Sequence, residues 1–326
     1  MSIPITTAPP PARTTYILDQ LEGERLTIPG SKGVFHILAS SKQTNGGIAV
    51  FSSGAVLSDA PGFHWHEEAH DVFVVTKGFL KLWNGDKCRI IGPGDFAYVP
   101  PKVIHNPELL GPHTETFGLV APGDWVDFFR YVAETYEGVV IPEHDDRDLK
   151  SLLMQKMMAT NDRFDVHFQR GGTTSRPRWG SGRHRRISWR DRCAGKFAIS
   201  SIESSRVYND ALKRPLARWL TFADVDHCFC VQEGLLRVRL RSGDGGWSEV
   251  RAGQTLVVAA GETFTLDFGS RYVRVWSFTN GRGIEELIRV AGSSCSSFVL
   301  PERPAPWEES EFLQACQKVK VEVADL

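Results

Sequence analysis

The sequence has neither a marked excess of one charge nor a long apolar run. Its 38 Lys and Arg residues nearly balance its 39 Asp and Glu residues, and a net charge of −1 gives no overall field to attract nucleic acid or anionic lipid. No apolar run approaches the roughly 20 residues of a membrane-spanning helix. The N-terminus, MSIPITTAPPPARTTY, lacks the basic start and the apolar core of a signal peptide. The sequence therefore predicts no nucleic-acid partner and no membrane partner.

Cysteine is also scarce. The chain has 6 cysteines among 326 residues, without regular spacing, which argues against a disulfide framework. Cys228 and Cys230 are separated by a single residue on a predicted strand, too close for a redox C-x-x-C motif. We expect reduced thiols and a cytoplasmic protein.

What the chain does contain is ordinary globular sequence with a strong β pattern. Its 41% apolar and 24% charged residues, over this length, fit one large or two ordinary domains. Short apolar runs broken by Gly and Pro, such as GVFHILAS and GGIAVFSS, predict strands joined by tight turns. Helices are predicted only at 123–138, at 147–159 and in the tail that follows PAPW. The fold class is therefore predicted as all-β with a few flanking helices.

The stretch from 62 to 106, GFHWHEEAHDVFVVTKGFLKLWNGDKCRIIGPGDFAYVPPKVIHN, carries the chemistry. His64 and His66 share one face of a strand because alternate side chains point the same way. Asp71 leads an apolar row on the next strand, and the Gly-Pro-Gly-Asp turn brings His105 back toward the histidine pair. Three imidazoles and one carboxylate predict a site for one divalent transition metal, either Fe, Cu, Mn, Ni or Zn. His70, on the opposite face from Asp71, is the alternative fourth ligand.

This stretch resembles the two motif blocks of the cupin superfamily, and the whole chain resembles the fungal quercetin 2,3-dioxygenase-like bicupins. The resemblance implies two tandem jelly-roll β-barrels and places the family's metal ligands on His64, His66, His105 and Asp71. The family usually has glutamate at the position of Asp71. In the family's reaction a carboxylate takes the proton of a substrate hydroxyl, so the resemblance makes Asp71 the candidate catalytic base.

The same resemblance predicts an enzyme that combines dioxygen with a small aromatic hydroxy-ketone, either flavonol-like or polyketide-derived, in secondary metabolism. Phe63, Phe73 and Tyr98 are the candidate substrate-binding residues, since aromatic side chains suit a flat substrate. Two alternatives stay open. One is a cupin isomerase or cyclase that does not use dioxygen, and the other is a non-catalytic ligand-binding bicupin.

An internal repeat predicts that the second barrel has no metal site. HCFCVQEGLLRVRL resembles DVFVVTKGFLKLW, and RAGQTLVVAAGETF resembles IGPGDFAYVPPKVI. Aligning Gly234 with Gly78, and Gly253 with Gly94, leaves apolar residues or a lone histidine at the ligand positions. These positions hold Leu220, Phe222, His227 and Phe264.

The predicted organisation has four parts. Residues 1–15 form a flexible N-terminus, and 16–168 form the N-terminal cupin with the metal site and connecting helices. Residues 169–194 are an Arg/Gly-rich linker, for which a gene-model artefact is the alternative. Residues 195–326 form the C-terminal cupin with a terminal helix. That helix is expected to cross onto the partner barrel or onto a second subunit, which leaves a homodimer open.

Overall fold

The chain folds into two compact units, seen in a computed structural model that describes residues 2–57, 61–142, 144–159, 163–169, 193, 195–208, 218–294, 299, 302 and 308–325. The unit that we call the first barrel comprises Glu22–Ser41 and Gly46–Ala194. The unit that we call the second barrel comprises Met1–Leu21, Lys42–Asn45 and Gly195–Leu326.

Strands dominate both units. The first barrel contains β3 (Glu24–Thr27), β4 (Gly33–Ala39), β5 (Ala49–Ala55), β6 (His64–Trp65), β7 (His70–Asn84), β8 (Lys87–Ile91), β9 (Phe96–Val99), β10 (His105–Ala121), β11 (Glu134–Thr135) and β12 (His167–Phe168). The second barrel contains β1 (Ile5–Thr6), β2 (Tyr16–Leu18), β13 (Ala198–Ser204), β14 (Trp219–Phe222), β15 (His227–Glu233), β16 (Leu235–Leu240), β17 (Ser248–Arg251), β18 (Thr255–Val258), β19 (Thr263–Phe268), β20 (Val273–Thr279) and β21 (Val321–Ala324).

In the first barrel the strands join into a single 10-stranded sheet. Its two longest strands, β7 and β10, pair antiparallel along most of their length, and β10 also pairs with β5 and with β6. Two aromatic residues of the sheet, Phe35 and Phe51, pack against Phe129, with ring centroids 4.4 and 5.3 Å away. The segment that follows β10 thereby covers part of one face of the sheet.

The second barrel is built from two sheets around one core. The 6-stranded sheet has the order β1-β2-β18-β15-β20-β13, and the 5-stranded sheet has the order β17-β16-β19-β14-β21. Side chains from both sheets belong to the same buried cluster, as Phe229 and Leu256 of one sheet and Val238 and Phe264 of the other illustrate. This arrangement confirms the predicted all-β class.

The backbone repeats the same turn in both units, as the internal sequence repeat predicts. The amide of Gly94 donates to the carbonyl of Val75 at 2.9 Å, and the amide of Gly253 donates to the carbonyl of Val231 at 2.8 Å. Both glycines have positive φ, 86° and 90°, which suits glycine because it lacks a Cβ. The structure therefore confirms the alignment of Gly253 with Gly94.

Helices are few, as predicted, but their bounds differ. Within the described ranges the α-helices are α1 (Asp127–Val132), α2 (Leu149–Met158), α3 (Ile284–Ala291) and α4 (Glu309–Val319). The helix predicted over 123–138 is a 3-10 turn, Gly123–Val126, followed by the short α1, and β11 then pairs with β3. The sequence reading missed α3 altogether. In the described part of the chain, no helix is long and apolar enough to span a membrane.

The N-terminal residues depart from the predicted organisation. Residues 1–15 were expected to be flexible and 16–21 to belong to the first barrel, but β1 pairs with β2, and β2 pairs with β18 of the second barrel. Arg13 also forms an ion pair with the buried Asp226, at 2.7 Å. The Pro- and Thr-rich composition does not indicate strands here, because these strands are stabilised by pairing with β18, which lies far along the chain. The predicted linker at 169–194 lies outside the described residues, apart from Gln169 and Cys193.

Candidate metal centre

Strand pairing brings the three motif histidines together. His64 of β6 lies directly opposite His105 of β10, and His66 follows β6 on the same side as His64. The ring centroids of His64 and His105 are 4.2 Å apart, and that of His66 is 5.3 and 5.2 Å from them. All three side chains are buried. The histidines therefore converge at one point, as the alternation of the strand predicts.

Each ring is oriented by a backbone carbonyl. The Nδ1 atom of His64 lies 2.8 Å from the carbonyl oxygen of Gly62, and the Nδ1 atom of His105 lies 3.0 Å from that of Val103. The Nδ1 atom of His66 lies 2.5 Å from a carbonyl oxygen of the segment before β12. A carbonyl can only accept, so each Nδ1 carries the proton and each Nε2 presents a lone pair. This is the tautomer that metal-binding histidines adopt.

Asp71 completes the group. Its Oδ2 atom lies 3.1 Å from the Nε2 atom of His66 and 2.9 Å from that of His105. One ligand atom from each of His64, His66, Asp71 and His105 lies within 4.8 Å of the others. The structure thus brings together all four predicted metal ligands.

The electrostatics of the group favour a cation at its centre. Burial raises the pKa of the Asp71 carboxyl, but the positive charge of His66 and the hydrogen bonds from His105 and His66, present when these rings carry a second proton on Nε2, more than offset this, so the pKa lies below its usual range. Burial, together with the charges of His105 and His66, lowers the pKa of His64 to about 3. Burial also lowers the pKa of His66, and Asp71 raises it by more. An ionised carboxylate and a neutral His64 are the forms that bind metal.

Three buried ligand atoms without hydrogen-bond partners in the described part of the chain also indicate that the residues fit a metal. The Nε2 atoms of His66 and His105 and the Oδ1 atom of Asp71 are buried and have no hydrogen-bond partner among the described residues. With the ring protons on Nδ1, the Nε2 lone pairs face the carboxylate oxygen, an arrangement that only a proton or a metal cation between them relieves. Imidazole nitrogen with a carboxylate suits Fe, Cu, Mn, Ni and Zn.

Two sequence expectations on the neighbouring strand face are wrong. The Nδ1 atom of His70 lies 2.8 Å from the Tyr98 hydroxyl, and both side chains belong to the face of the sheet opposite Asp71. His70 is outside the described ligand group, so it is not the alternative fourth ligand. Tyr98, which pairs with Val72 rather than with Asp71, cannot line the substrate side of the metal centre.

The other two predicted substrate-binding residues lie closer to the site. Phe73 shares the face of Asp71 and lies between Ala97 of β9 and Gly118 of β10. Phe63 precedes His64, and its ring packs edge-on against Trp83 at 5.7 Å. Phe73 therefore shares the strand face of one ligand, Asp71, and Phe63 is the chain neighbour of another, His64.

Three residues from outside the motif also contact the ligands, and the sequence reading did not single them out. The rings of Trp125 and Phe168 lie 5.0 Å from His66 and 5.6 Å from His64. Asp165 provides the carbonyl that accepts from His66. They follow the motif by many residues and carry no spacing signal. The pairing of β12 with β6 brings Phe168 and the preceding Asp165 to the site, and the 3-10 turn after β10 brings Trp125.

Residues 57–115, which contain all four ligands, match the family model described as Cupin domain. Over these residues the chain is similar to cupin domains. Known proteins with similar sequences include quercetin 2,3-dioxygenase of Bacillus subtilis, 32% identical over 133 residues, or 41% of this chain and 39% of the relative. Quercetin 2,3-dioxygenase of Aspergillus japonicus is 28% identical over 129 residues, or 36% and 37%. The chain thus spans about two-fifths of the length of these relatives.

Solved structures that align with most of the chain include oxalate decarboxylase from Bacillus subtilis. That alignment covers 84% of this chain and 78% of the decarboxylase, with 11% sequence identity and a TM-score of 0.49. A single-substitution variant of the same decarboxylase aligns over 84% of this chain and 79% of the variant, with 11% sequence identity and a TM-score of 0.49.

Proposed function

We propose that the chain is a metal-dependent dioxygenase that acts on a small aromatic hydroxy-ketone, flavonol-like or polyketide-derived, in secondary metabolism. The convergence of three imidazole Nε2 atoms and one carboxylate in a buried cupin site carries this proposal. The similarity to quercetin 2,3-dioxygenases supports the choice of reaction class. The reaction needs only the small-molecule substrate and dioxygen as partners.

His64, His66 and His105 would hold the metal, with Asp71 as the fourth ligand. When bound, a divalent transition metal would supply Lewis-acid activation of the substrate oxygens and a redox-active contact for dioxygen. The protein's own contribution is to keep each ring in the Nδ1-protonated form through its carbonyl partner. For a metal that takes five or six ligands, these four residues would leave at least one position for a substrate oxygen.

Asp71 is the proposed catalytic base. Its Oδ1 atom is buried and has no hydrogen-bond partner among the described residues. An oxygen with a free lone pair, buried beside the ligands, can accept the proton of a substrate hydroxyl. Oδ2 then stays with the histidines while Oδ1 holds the proton.

Apolar side chains would orient the substrate and exclude water. Phe73 lies on the Asp71 face, and Phe168 lies against His64. A flat aromatic substrate gains contact area against such rings at little cost in entropy. Phe63, the chain neighbour of His64, stays a predicted contact.

The test combines metal analysis with oxygen uptake on quercetin, using the wild-type chain and two Asp71 variants. We expect about one transition metal per chain and oxygen consumption by the wild type. Asp71→Asn should lower kcat by about 100-fold or more, since it removes the proton acceptor. Asp71→Glu should keep substantial activity because it retains the carboxylate. Asp86→Asn, in an exposed turn, is the matched control and should behave as wild type.

The alternatives predict different results. Bound metal without oxygen uptake on quercetin or related hydroxy-ketones would contradict the dioxygenase and favour the isomerase or cyclase. A chain that binds no metal after reconstitution would contradict both enzymes and favour the non-catalytic ligand-binding bicupin. The cytoplasmic location and the homodimer stay predictions, which fractionation and light scattering would test.

A further inference from the structure

Asp165 contacts the cupin site through both its main chain and its side chain. It is the central residue of a tight turn in which the amide of Val166 donates to the carbonyl of Phe164 at 2.8 Å. This turn lies immediately before β12, which pairs with the ligand-bearing strand β6.

The main-chain carbonyl of Asp165 fixes the ring of His66. The Nδ1 atom of His66 lies 2.5 Å from this oxygen, and the indole Nε1 atom of Trp125 lies 3.1 Å from it. A carbonyl oxygen has two lone pairs, so it can accept from both donors. The indole nitrogen also lies 3.3 Å from the Nδ1 atom, but two donors cannot bond to one another. The shared acceptor therefore sets the tautomer and the orientation of His66.

The carboxylate of Asp165 holds the loop between two ligands. Its Oδ1 atom accepts from the amide of Glu67 at 2.5 Å, and its Oδ2 atom accepts from the amides of Glu68 and Ala69, both at 2.9 Å. These amides connect His66 to the strand that carries Asp71. Charge-assisted bonds to backbone N–H groups are the stronger kind of hydrogen bond. The Nε2 atom of His167 lies 3.5 Å from the Oδ1 atom of this carboxylate.

We propose that Asp165 is a positioning residue for the metal centre, which holds His66 in its metal-binding tautomer and fixes the spacing between His66 and Asp71. The inference rests on the proposed function only in that it requires the cupin site to bind metal. The carboxylate anchors the turn to the loop, and the anchored turn aims the carbonyl at His66. Loss of the carboxylate should therefore weaken metal binding even though Asp165 is not itself a ligand.

The experiment measures Co²⁺ binding to the metal-free full-length chain by competition with a chromophoric chelator. Asp165→Asn keeps one accepting oxygen, so we expect about 10-fold weaker binding. Asp165→Ala keeps none, and its binding should weaken by about 100-fold, the upper range for residues that orient metal ligands. Asp148→Asn is the matched control, because the Asp148 side chain also accepts from two backbone amides, at the start of α2. It should leave Co²⁺ affinity within twofold of wild type.

A second measurement separates positioning from general loss of fold. Nitrogen chemical shifts of labelled histidine rings report the tautomer of each ring in the metal-free chain. We expect a mixed tautomer for His66 in Asp165→Ala, while His64 and His105 keep their protons on Nδ1. Variants that bind Co²⁺ as tightly as wild type, or a His66 ring that keeps one tautomer in Asp165→Ala, would overturn the proposal. A wild-type chain that binds no Co²⁺ would overturn both this proposal and the proposed function.

Discussion

His64 lies opposite His105 in the first barrel, and Leu220 lies opposite Phe264 at the corresponding place in the second barrel. Asp71 pairs with Val99 of β9 in one unit, and the residue aligned with it pairs with Val258 of β18 in the other. The backbone plan is thus the same, and the side chains at a few fixed positions decide whether a metal centre can form.

His227 shows what replaces the metal centre. The rings of Phe222 and Phe264 surround it, with centroids 4.5 and 5.5 Å away, and its Nε2 atom accepts from the amide of Ile284 at 3.1 Å. Burial lowers the pKa of His227 to about 3, so the ring is neutral. The Nε2 atom of His227, which would face a metal, already accepts a hydrogen bond from the first residue of α3.

The metal-ligand positions of the first barrel and the aligned positions of the second barrel therefore contribute to stability in opposite ways. Burying Leu and Phe side chains stabilises the second barrel by roughly 1.5–3 kcal/mol for each residue. Buried Nε2 and carboxylate atoms without partners cost the first barrel about 1–3 kcal/mol each. A bound metal would offset that cost. Metal should consequently stabilise the first barrel and leave the second unchanged.

The largest expected effect is on metal content. His66→Ala and His105→Ala should each lose the metal, because each removes one of the converging Nε2 donors. His227→Ala should keep about one metal per chain, since its ring nitrogen bonds to a backbone amide. Elemental analysis of the three purified variants checks this difference. Equal metal content in all three would contradict the assignment of the site to the first barrel.

A smaller effect concerns the pH dependence of stability in the second barrel. Burial raises the pKa of Glu285 from 4.5 to about 7, although Ser277 and Thr279 donate hydrogen bonds to it. Between these pH values the folded chain holds a proton that the unfolded chain has released. The resulting stabilisation is complete below pH 4.5 and is lost as the pH rises through 7.

The Glu285→Gln variant isolates this contribution. Relative to wild type, its free energy of unfolding should improve by about 3 kcal/mol between pH 4.5 and pH 8, because the amide cannot ionise. Urea unfolding at both pH values measures the change. A constant difference between the two chains would show that Glu285 titrates normally, and metal content should be unaffected at either pH.

The smallest effect tests how tightly α3 closes the second barrel. A Cβ on Gly283 would lie 2.5 Å from Thr279 Cγ2, 2.8 Å from His227 Nε2 and 2.9 Å from Glu285 Oε2. Gly283→Ala should therefore lower the free energy of unfolding by about 2 kcal/mol through overpacking. Gly246→Ala is the control, because its Cβ would meet only the Asp244 side chain within 4 Å. Equal thermal stability of the two variants would contradict a closely packed contact between α3 and His227.

Local patterns explain which parts of the fold and site were predictable. Alternation along β6 and β7 placed His64, His66 and Asp71 because strand geometry has a fixed period. The glycine turns placed His105 because they set the register of the returning strand. Tyr98 was misplaced although the same alternation governs it, since its face depends on the pairing of β9 with β7, which sequence does not show.

Distant contacts explain what was missed. Asp165 reaches His66 from 99 residues away and stands outside any motif. The α3 segment, IEELIRVA, has apolar residues at helical spacing, but it is only eight residues long and follows directly on the β pattern of RYVRVWSFT. The N-terminal strands form through a partner near residue 256, so their local composition gave no indication of order.

The position of β2 has a consequence for how the protein is made. Leu18 pairs with Thr255, and the amide of Ile3 donates to the Ser248 hydroxyl from 245 residues away. On the ribosome the first barrel therefore has its whole sequence available while one edge of the second still awaits its partner. Strands β1 and β2 therefore stay without these partners until residues 248–257 have been synthesised. A chaperone that binds β1 and β2 would delay the second barrel, although the metal ligands of the first barrel are synthesised before residues 248–257.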